Sequence, residues 1–599
     1  MKKLALRIIT IAFTLLTALS FCGCNKGEVM TLSHYDYSDG DGSHYNTELF
    51  YANTFDVPLG DPAIRYNEAD GYFYLTGTTN SLTGFNMWRT KNFAEYEDLG
   101  EAYTRSIDHF GVKDFWAPNF TYDPTAKWSD YLGETAGDGQ GLWVLLFSAR
   151  DADGHCKLSA AFSKEVDGPY HEFVGENLDG KYLDATKTIF DNEELKKHDF
   201  SAWEKENAKY GSIYKERRTF IDAFPFIDDD GTKYMYFCRS RGNDLSNDIW
   251  GVKMKDWVTP DYATTRPLTM FGYTTTKREQ AYDYTSMQKI DEGPVMIKHN
   301  GKYYLTFSIG PTDDKYYPVA QAISDSPLGS YEKVLEADGG LINKVNFEWD
   351  IHCAGHHDFF TVGDEMWIAS HSYPINSDGS LGGRCFVTEK VEWTTNGKGQ
   401  EIMQVNGPTR TMQPLPEKVS GYTNLALFAT VTATGTSSKS LATLLNDGLR
   451  ASNADDGIKD FTAKDGKTVI TLKWKDFVTA RAIMVYQSYD WGNAFDGVEK
   501  IELSYRRTVD GKTKKGVATI KDLGYNVEAG RVNLSYFGFS YEEIVAGEYE
   551  EEYNILRPST ASVAEFNEIE INKVKITVKK GAGKSGLMIS DVVVLGKTA

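Results

Sequence analysis

The sequence predicts an all-β protein, a five-bladed β-propeller followed by a β-sandwich of the jelly-roll type. Three observations predict it. A hairpin layout recurs five times before Thr411, and an internal repeat of this kind signals a propeller or array. After Thr411 the repeat gives way to short alternating strands separated by turns, the pattern of a sandwich. A length of 599 residues with 41% hydrophobic content supports two or three folded domains rather than one.

The five copies read, in order, DPAIRYNEADGYFYLTGTT (Asp61–Thr79); WAPNFTYD from Trp116 and, after an insertion, GLWVLLFSA (Gly141–Ala149); IDAFPFIDDDGTKYMYFCRS (Ile221–Ser240); EGPVMIKHNGKYYLTFSIG (Glu292–Gly310); and GHHDFFTVGDEMWIASHSY (Gly355–Tyr373). Each has a distinctive residue, a short apolar strand, a mostly polar or Gly-containing turn and an aromatic strand. The third is the clearest. Asp228 to Gly231 is turn chemistry, because Asp caps its own backbone and Gly accepts positive φ. Five such hairpins, each extended by further strands, make five four-stranded blades. Their innermost strands run the same way round one axis. Asp61, Asp222 and Glu292 are therefore expected at the same place in three blades, converging at one end of the channel.

The flanking segments have their own signatures. Lys2, Lys3 and Arg7 precede the apolar run Ile8–Phe21, a charged region and hydrophobic region of signal-peptide length. Gly23–Cys24 fits a lipidation site, so residues 1–23 are expected as a lipoprotein signal and Cys24 as the anchor of an exported bacterial lipoprotein of the outer membrane. Residues 24–48 are polar and are expected as a tether, 49–410 as the propeller, 411–422 as a Pro- and Gly-containing linker and 423–599 as the sandwich. A long interruption, Gly168–Arg218, with a partly helical segment, separates the second and third hairpins and is expected over the axial mouth or on its rim. The net charge of −21 argues against nucleic acid, whose phosphates need a basic face. Six cysteines without a CxxC pair give little support for zinc.

Three convergent carboxylates without a basic partner in their motifs repel one another. That is tolerated where protonation states must differ. Two acids flanking a glycosidic bond suffice for hydrolysis, one protonating the leaving oxygen and the other activating water; a third can hold the acid's proton affinity. Trp116 offers a flat apolar face for a sugar ring.

Taken together, Asp61-Pro62-Ala63-Ile64, Trp116-Ala117-Pro118, Ile221-Asp222 with its DDDG turn, Glu292-Gly293-Pro294, Gly355-His356 and the tail GRCFVTEKVEW (Gly383–Trp393) resemble the family 43 glycoside hydrolases from about Leu49 to Arg410. The resemblance implies a five-bladed propeller and single-displacement, inverting hydrolysis. It implies Asp61 as general base, Asp222 as pKa modulator and orienter, and Glu292 as general acid. It also implies His356 as an axial histidine binding a metal such as Ca2+ or a water, and Arg384 as an arginine reaching substrate hydroxyls. Asn119 stands after WAP where the family often has an acid, and Ala223 replaces a frequent proline. The opening NLAL-A-VTAT and closing GLMISDVVVLG of the C-terminal region resemble discoidin-type, family 32 carbohydrate-binding modules. The expected function is an exo-acting glycosidase on polysaccharide side chains, α-L-arabinofuranosidase first, with β-D-galactofuranosidase, β-xylosidase and exo-galactosidase as alternatives. A non-catalytic glycan-binding surface lipoprotein is the alternative of another class.

Overall fold

A computed structural model describes residues 28–33, 45–206, 219–240, 246–270, 289–312, 317–346, 351–374, 380–451, 457–495, 497–523 and 559–598. They are mostly strand; the helices among them are short, such as Trp128–Leu132, Asn192–Leu195 and Ser201–Glu206.

Each predicted hairpin opens a sheet. The first runs Gly60–Asn67, Tyr72–Thr78, Gly84–Thr90, Tyr96–Thr104, each strand antiparallel to the next. The second runs Gly111–Lys127, Gln140–Asp151, Cys156–Ser163, His171–Glu172. The third is Phe220–Ile227, Lys233–Ser240 and Ser246–Asp256 with Arg266–Met270 beside it. The fourth starts with Lys289–His299, Lys302–Ile309 and Val319–Ser324. A two-residue parallel pairing, Ser246–Asn247 with Lys289–Ile290, joins the third and fourth. The fifth is His357–Val362, Glu365–Ser372, Cys385–Thr395, Glu401–Val405.

Near-continuous apolar runs in these strands, such as Leu142–Phe147, leave both faces of the sheets to be covered. Neighbouring sheets cover them. Phe85, Phe115, Phe147 and Tyr103 pack the first against the second; Leu146, Phe237 and Trp250 the second against the third. Tyr236, Leu305 and Ile368 belong to one cluster across the third, fourth and fifth. Ile64, Phe73, Phe360 and Trp367 pack the first against the fifth, where Arg65 and the Ile64 N–H also bind Asp358, the latter at 3.0 Å. The described part of the Gly168–Arg218 interruption buries Phe190, Leu195 and Phe200 beside Phe237 and Trp250, so this part is core and rim. Residues 207–218 lie outside the described residues.

The C-terminal strands form a nine-stranded sheet system around long strands Lys467–Gln487 and Ala561–Lys579. Two stretches expected to be loose are held. Glu28–Thr31, inside the expected tether, pairs in parallel with Gly516–Thr519, and Glu28 accepts from Tyr505 at 3.0 Å. Gln413–Pro414, inside the expected linker, pairs with Phe50–Tyr51. Leu49, Phe50 and Met412 then share an apolar cluster with Met484, Tyr486, Val563 and Leu595, so the two regions meet through a hydrophobic seam. Cys156, Cys238, Cys353 and Cys385 are buried, and no disulfide joins them among the described residues. Cys24 lies outside the described residues.

Candidate active site

The inner strands share a backbone device. Asp61, Ala117, Asp222, Gly293 and His356 all have positive φ, between 40° and 59°. In the first four sheets these residues fall inside a break in pairing: Gly60 to Ala63, Trp116 to Asn119, Ile221 to Phe224 and Glu292 to Val295. A left-handed bulge redirects the side chain out of the ladder. Non-glycine residues pay strain there, so the bulge marks where each sheet presents something.

This corrects one expectation. Asp61 and Asp222 do occupy equivalent places, and His356 is their counterpart in the fifth sheet. Glu292 does not: Gly293 takes the left-handed position, and Glu292, like Trp116, precedes it and pairs in the ladder with Ser308. The reason is steric. A glycine at the bulge lets its N–H approach Asp222 Oδ2 at 3.0 Å, and the carboxylate moves one residue back.

The three carboxylates are all buried but surrounded differently. Asp61 accepts from Thr78 Oγ1 at 2.5 Å and from Arg384 Nη1 at 2.5 Å, with His356 Nδ1 3.3 Å from the same Oδ1. Burial raises its pKa, but Arg384 first, then His356 and Thr78, outweigh burial and hold it well below the usual carboxylate range. Its own N–H donates to His371 Nδ1 at 3.2 Å, which makes His371 a neutral imidazole with its proton on Nε2. Burial likewise pushes the pKa of His371 far down. At 3.6 Å, Nδ1 and Asp61 Oδ1 are then two acceptors side by side, and His371 serves the backbone of Asp61 rather than its charge.

Asp222 accepts from Gly293 N–H and from Cys238 Sγ at 3.3 Å, with no cation at hydrogen-bond distance among the described residues. Burial raises its pKa; His356 opposes and Asp61 adds to the rise. Glu292 accepts from the Tyr317 hydroxyl at 2.8 Å and faces Asn247 Nδ2 at 3.5 Å. Burial, then the negative charge of Asp222, push it up to about 8. The site thus holds a strongly acidic carboxylate and a carboxyl that keeps its proton at neutral pH, with Asp222 electrically coupled to both.

The remaining expected residues sort themselves by contact. Asp61, Asp222 and His356 line one small pocket with Pro62, Ala117 and Gly293, whereas Glu292, Trp116 and Arg384 are not among its lining residues. Arg384 is bonded to Asp61 and still 21% exposed at its side chain, so other guanidinium nitrogens remain available to a ligand. Trp116 is half-buried beside that cavity, its ring capped by Arg150 at 5.2 Å. Asn119 accepts from Arg65 and is structural. His357 bonds Thr306 at 2.6 Å, also a packing role. Among the described residues there is no group of three His, Cys, Asp or Glu side chains able to hold a metal ion, and His356 Nδ1 already faces Asp61. A single ring nitrogen is not a protein cage for Ca2+, whose six or more oxygen ligands would here have to come largely from water or substrate. Motif reading missed Thr78, Cys238, His371, Asn247 and Tyr317. Two of these had a signal: Thr78 and Cys238 pair across from Gly60 and Ile221, each just before a bulge, as Ser148 and Ser308 do from Trp116 and Glu292.

Part of the chain is similar to a known family. Residues 197–398 match the family model for glycosyl hydrolases family 43, a segment that holds Asp222, Glu292, His356 and Arg384. The β-D-galactofuranosidase xynD of Aspergillus niger is 28% identical over 272 residues, 44% of this chain and 59% of that protein. Xylosidase/arabinosidase 43A of Humicola insolens is 24% identical over 262 residues, 39% of this chain and 64% of that protein. The chain thus spans about three fifths of the length of these curated relatives. A crystal structure of a thermostable family-43 glycoside hydrolase aligns at TM-score 0.45 with 25% identity, over 61% of this chain and 98% of that one.

Proposed function

We propose that this protein is an exo-acting, inverting glycoside hydrolase that removes terminal sugars from oligo- or polysaccharide side chains. The observation that carries the reading is the division of labour among three buried carboxylates. Asp61, held ionised by Arg384, takes the proton of a water. Glu292, held protonated, gives its proton to the leaving oxygen. Asp222 sits between them, bonded to Gly293 N–H directly after the acid, and its charge keeps the proton on Glu292. Around them the five sheets are read as the blades of a closed propeller, supported by the apolar cluster and the Arg65–Asp358 pair between the first and fifth. The C-terminal region is read as a jelly-roll sandwich resembling discoidin modules that braces the propeller through the seam at Phe50 and Met412.

The preferred substrate is a terminal α-L-arabinofuranoside, with β-D-galactofuranoside next and β-xyloside after it; the two relatives are named for these sugars. Hydrolysis of a panel of aryl furanosides and pyranosides by wild type, Asp61→Asn and Glu292→Gln tests the reading. Asp61→Asn should abolish turnover on every leaving group, and Glu292→Gln should retain most on activated ones. Proton NMR of the first-formed product should show an inverted anomer. Glycan binding without turnover of any member of the panel would favour a non-catalytic binding protein instead. We further propose lipid anchoring at Cys24 in the outer membrane, tested by incorporation of labelled fatty acid; incorporation unchanged in Cys24→Ala refutes it.

A further inference from the structure

We infer that Tyr317 is the positioning residue of the acid. Its hydroxyl fixes which oxygen of Glu292 carries the proton and holds the carboxylate left when that proton is given away. This rests on Glu292 being the general acid.

Tyr317 is fully buried, and its hydroxyl donates to Glu292 Oε1 at 2.8 Å. Its ring lies nearly parallel to that of His371, 5.9 Å between centroids and 19° between planes, so the residue that orients the backbone of Asp61 also seats the partner of Glu292. Gly355 makes room for this ring; a Cβ there would overlap it. Burial and the negative charge of Glu292 push the phenol pKa well above its ordinary value, so Tyr317 stays protonated and acts as a donor. A hydroxyl that donates to Oε1 leaves the acidic proton to Oε2, whose neighbour is the long contact to Asn247. In the reaction the Oε2–H bond breaks as the leaving oxygen gains the proton. The anomeric C–O bond breaks with its electron pair on that oxygen. The new carboxylate then keeps a charge-assisted bond from Tyr317, while the attacking water's proton goes to Asp61.

The groups facing Glu292 are Asp222, Asp61, Cys238, Asn247 and Tyr317, and Arg384 faces Tyr317. Tyr317→Phe changes one of them and keeps the ring. Loss of the donor destabilises the anion, so the acid holds its proton to higher pH. The basic limb of kcat/KM should move up by about one pH unit, the size of one hydrogen bond to a charged group. kcat on alkyl glycosides should fall about tenfold because a weaker acid protonates a poor leaving group more slowly, with less than about threefold on activated aryl glycosides and KM unchanged. An unmoved limb, or equal losses on both leaving groups, overturns the inference and leaves a bracing role. If instead Glu292→Gln fails to remove the basic limb, the acid assignment falls rather than the tyrosine's. Should Tyr317→Phe not fold, the infrared difference between wild type and Glu292→Gln decides: a carboxyl C=O band shifted by hydrogen bonding supports the inference, and a free C=O overturns it.

Discussion

Gly60→Ala should disable Asp61, the proposed base, without touching its carboxylate. A Cβ built on Gly60 overlaps the guanidinium of Arg384. The backbone at Arg384 cannot withdraw, because Leu59 N–H donates to the Arg384 carbonyl at 3.0 Å and Phe386 N–H donates to the Val57 carbonyl at 3.0 Å. The side chain must therefore swing off Asp61 and give up a charge-assisted bond of 2.5 Å. Asp61 then loses its anchor, and because a reacting group misplaced by about 1 Å can cost on the order of 100-fold, kcat/KM should fall roughly 10- to 100-fold. The same loss raises the pKa of Asp61 by about one to two units from its depressed value. The base works ionised, so activity is present above its pKa and lost below it. The acid limb of the pH profile should accordingly move up, towards neutrality. The assay is kcat/KM from about pH 2 to 9 on an activated aryl glycoside, so that the depressed limb of Asp61 falls inside the window, with Arg384→Met as a second route to the same lost bond and thermal unfolding as the control for fold. Wild-type kcat/KM with an unmoved acid limb in both variants would refute the claim that Arg384 sets the charge of Asp61.

Two further outcomes follow from the same geometry. In the wild type, Glu292 works protonated and its pKa is raised to about 8, so kcat/KM should hold below that value and decline as pH rises through it; a profile flat to pH 10 contradicts the assignment. Lys333 and Asp291 form a buried ion pair at 2.8 Å directly before Glu292, so Lys333→Met should cost about 3–5 kcal/mol, part of it regained in Lys333→Met/Asp291→Asn, as read by urea unfolding.

The five hairpins were legible because each combines a polar punctuation mark with short apolar and aromatic strands, and each forms an antiparallel pair, the third and fourth lying in one ten-stranded sheet. Asp61 and Asp222 were legible for the same reason, standing where polar residues interrupt an apolar strand. Arg384 was found through its likeness to a family, but its bond to Asp61 was not, since residues 323 positions apart carry no local signal of contact. Tyr317 lies between strands in a run with no periodic pattern, and only the fold brings it to Glu292. Polar composition describes side chains, whereas Glu28–Thr31 in the expected tether and Gln413–Pro414 in the expected linker pair with strands through the backbone, which composition does not report.

The one-residue offset of Glu292 explains how a repeated backbone yields unlike acids. If all three carboxylates stood at the bulge, each would meet the same bent backbone and the same kind of cross-strand partner. Asp61 and Asp222 do: Thr78 and Cys238, at equivalent places on the next strand, reach their carboxylates. What separates those two is the cation, since Arg384 from the fifth sheet reaches only Asp61. Glu292 escapes the pattern by standing in the ladder before the bulge. Ser308, its counterpart of Thr78 and Cys238, accepts from His356 N–H at 2.7 Å instead, and the carboxyl turns to Tyr317. Gly293 meanwhile supplies an N–H where a third carboxylate would have repelled Asp222. The glycine and the glutamate are one device: moving the acid back by a residue removes a charge clash and puts a donor in its place. Exchanging their order, as Glu292→Gly with Gly293→Glu, should therefore abolish turnover on unactivated substrates although the same atoms remain in the strand. Activity retained on alkyl glycosides in that double variant would show that the register of the acid does not matter.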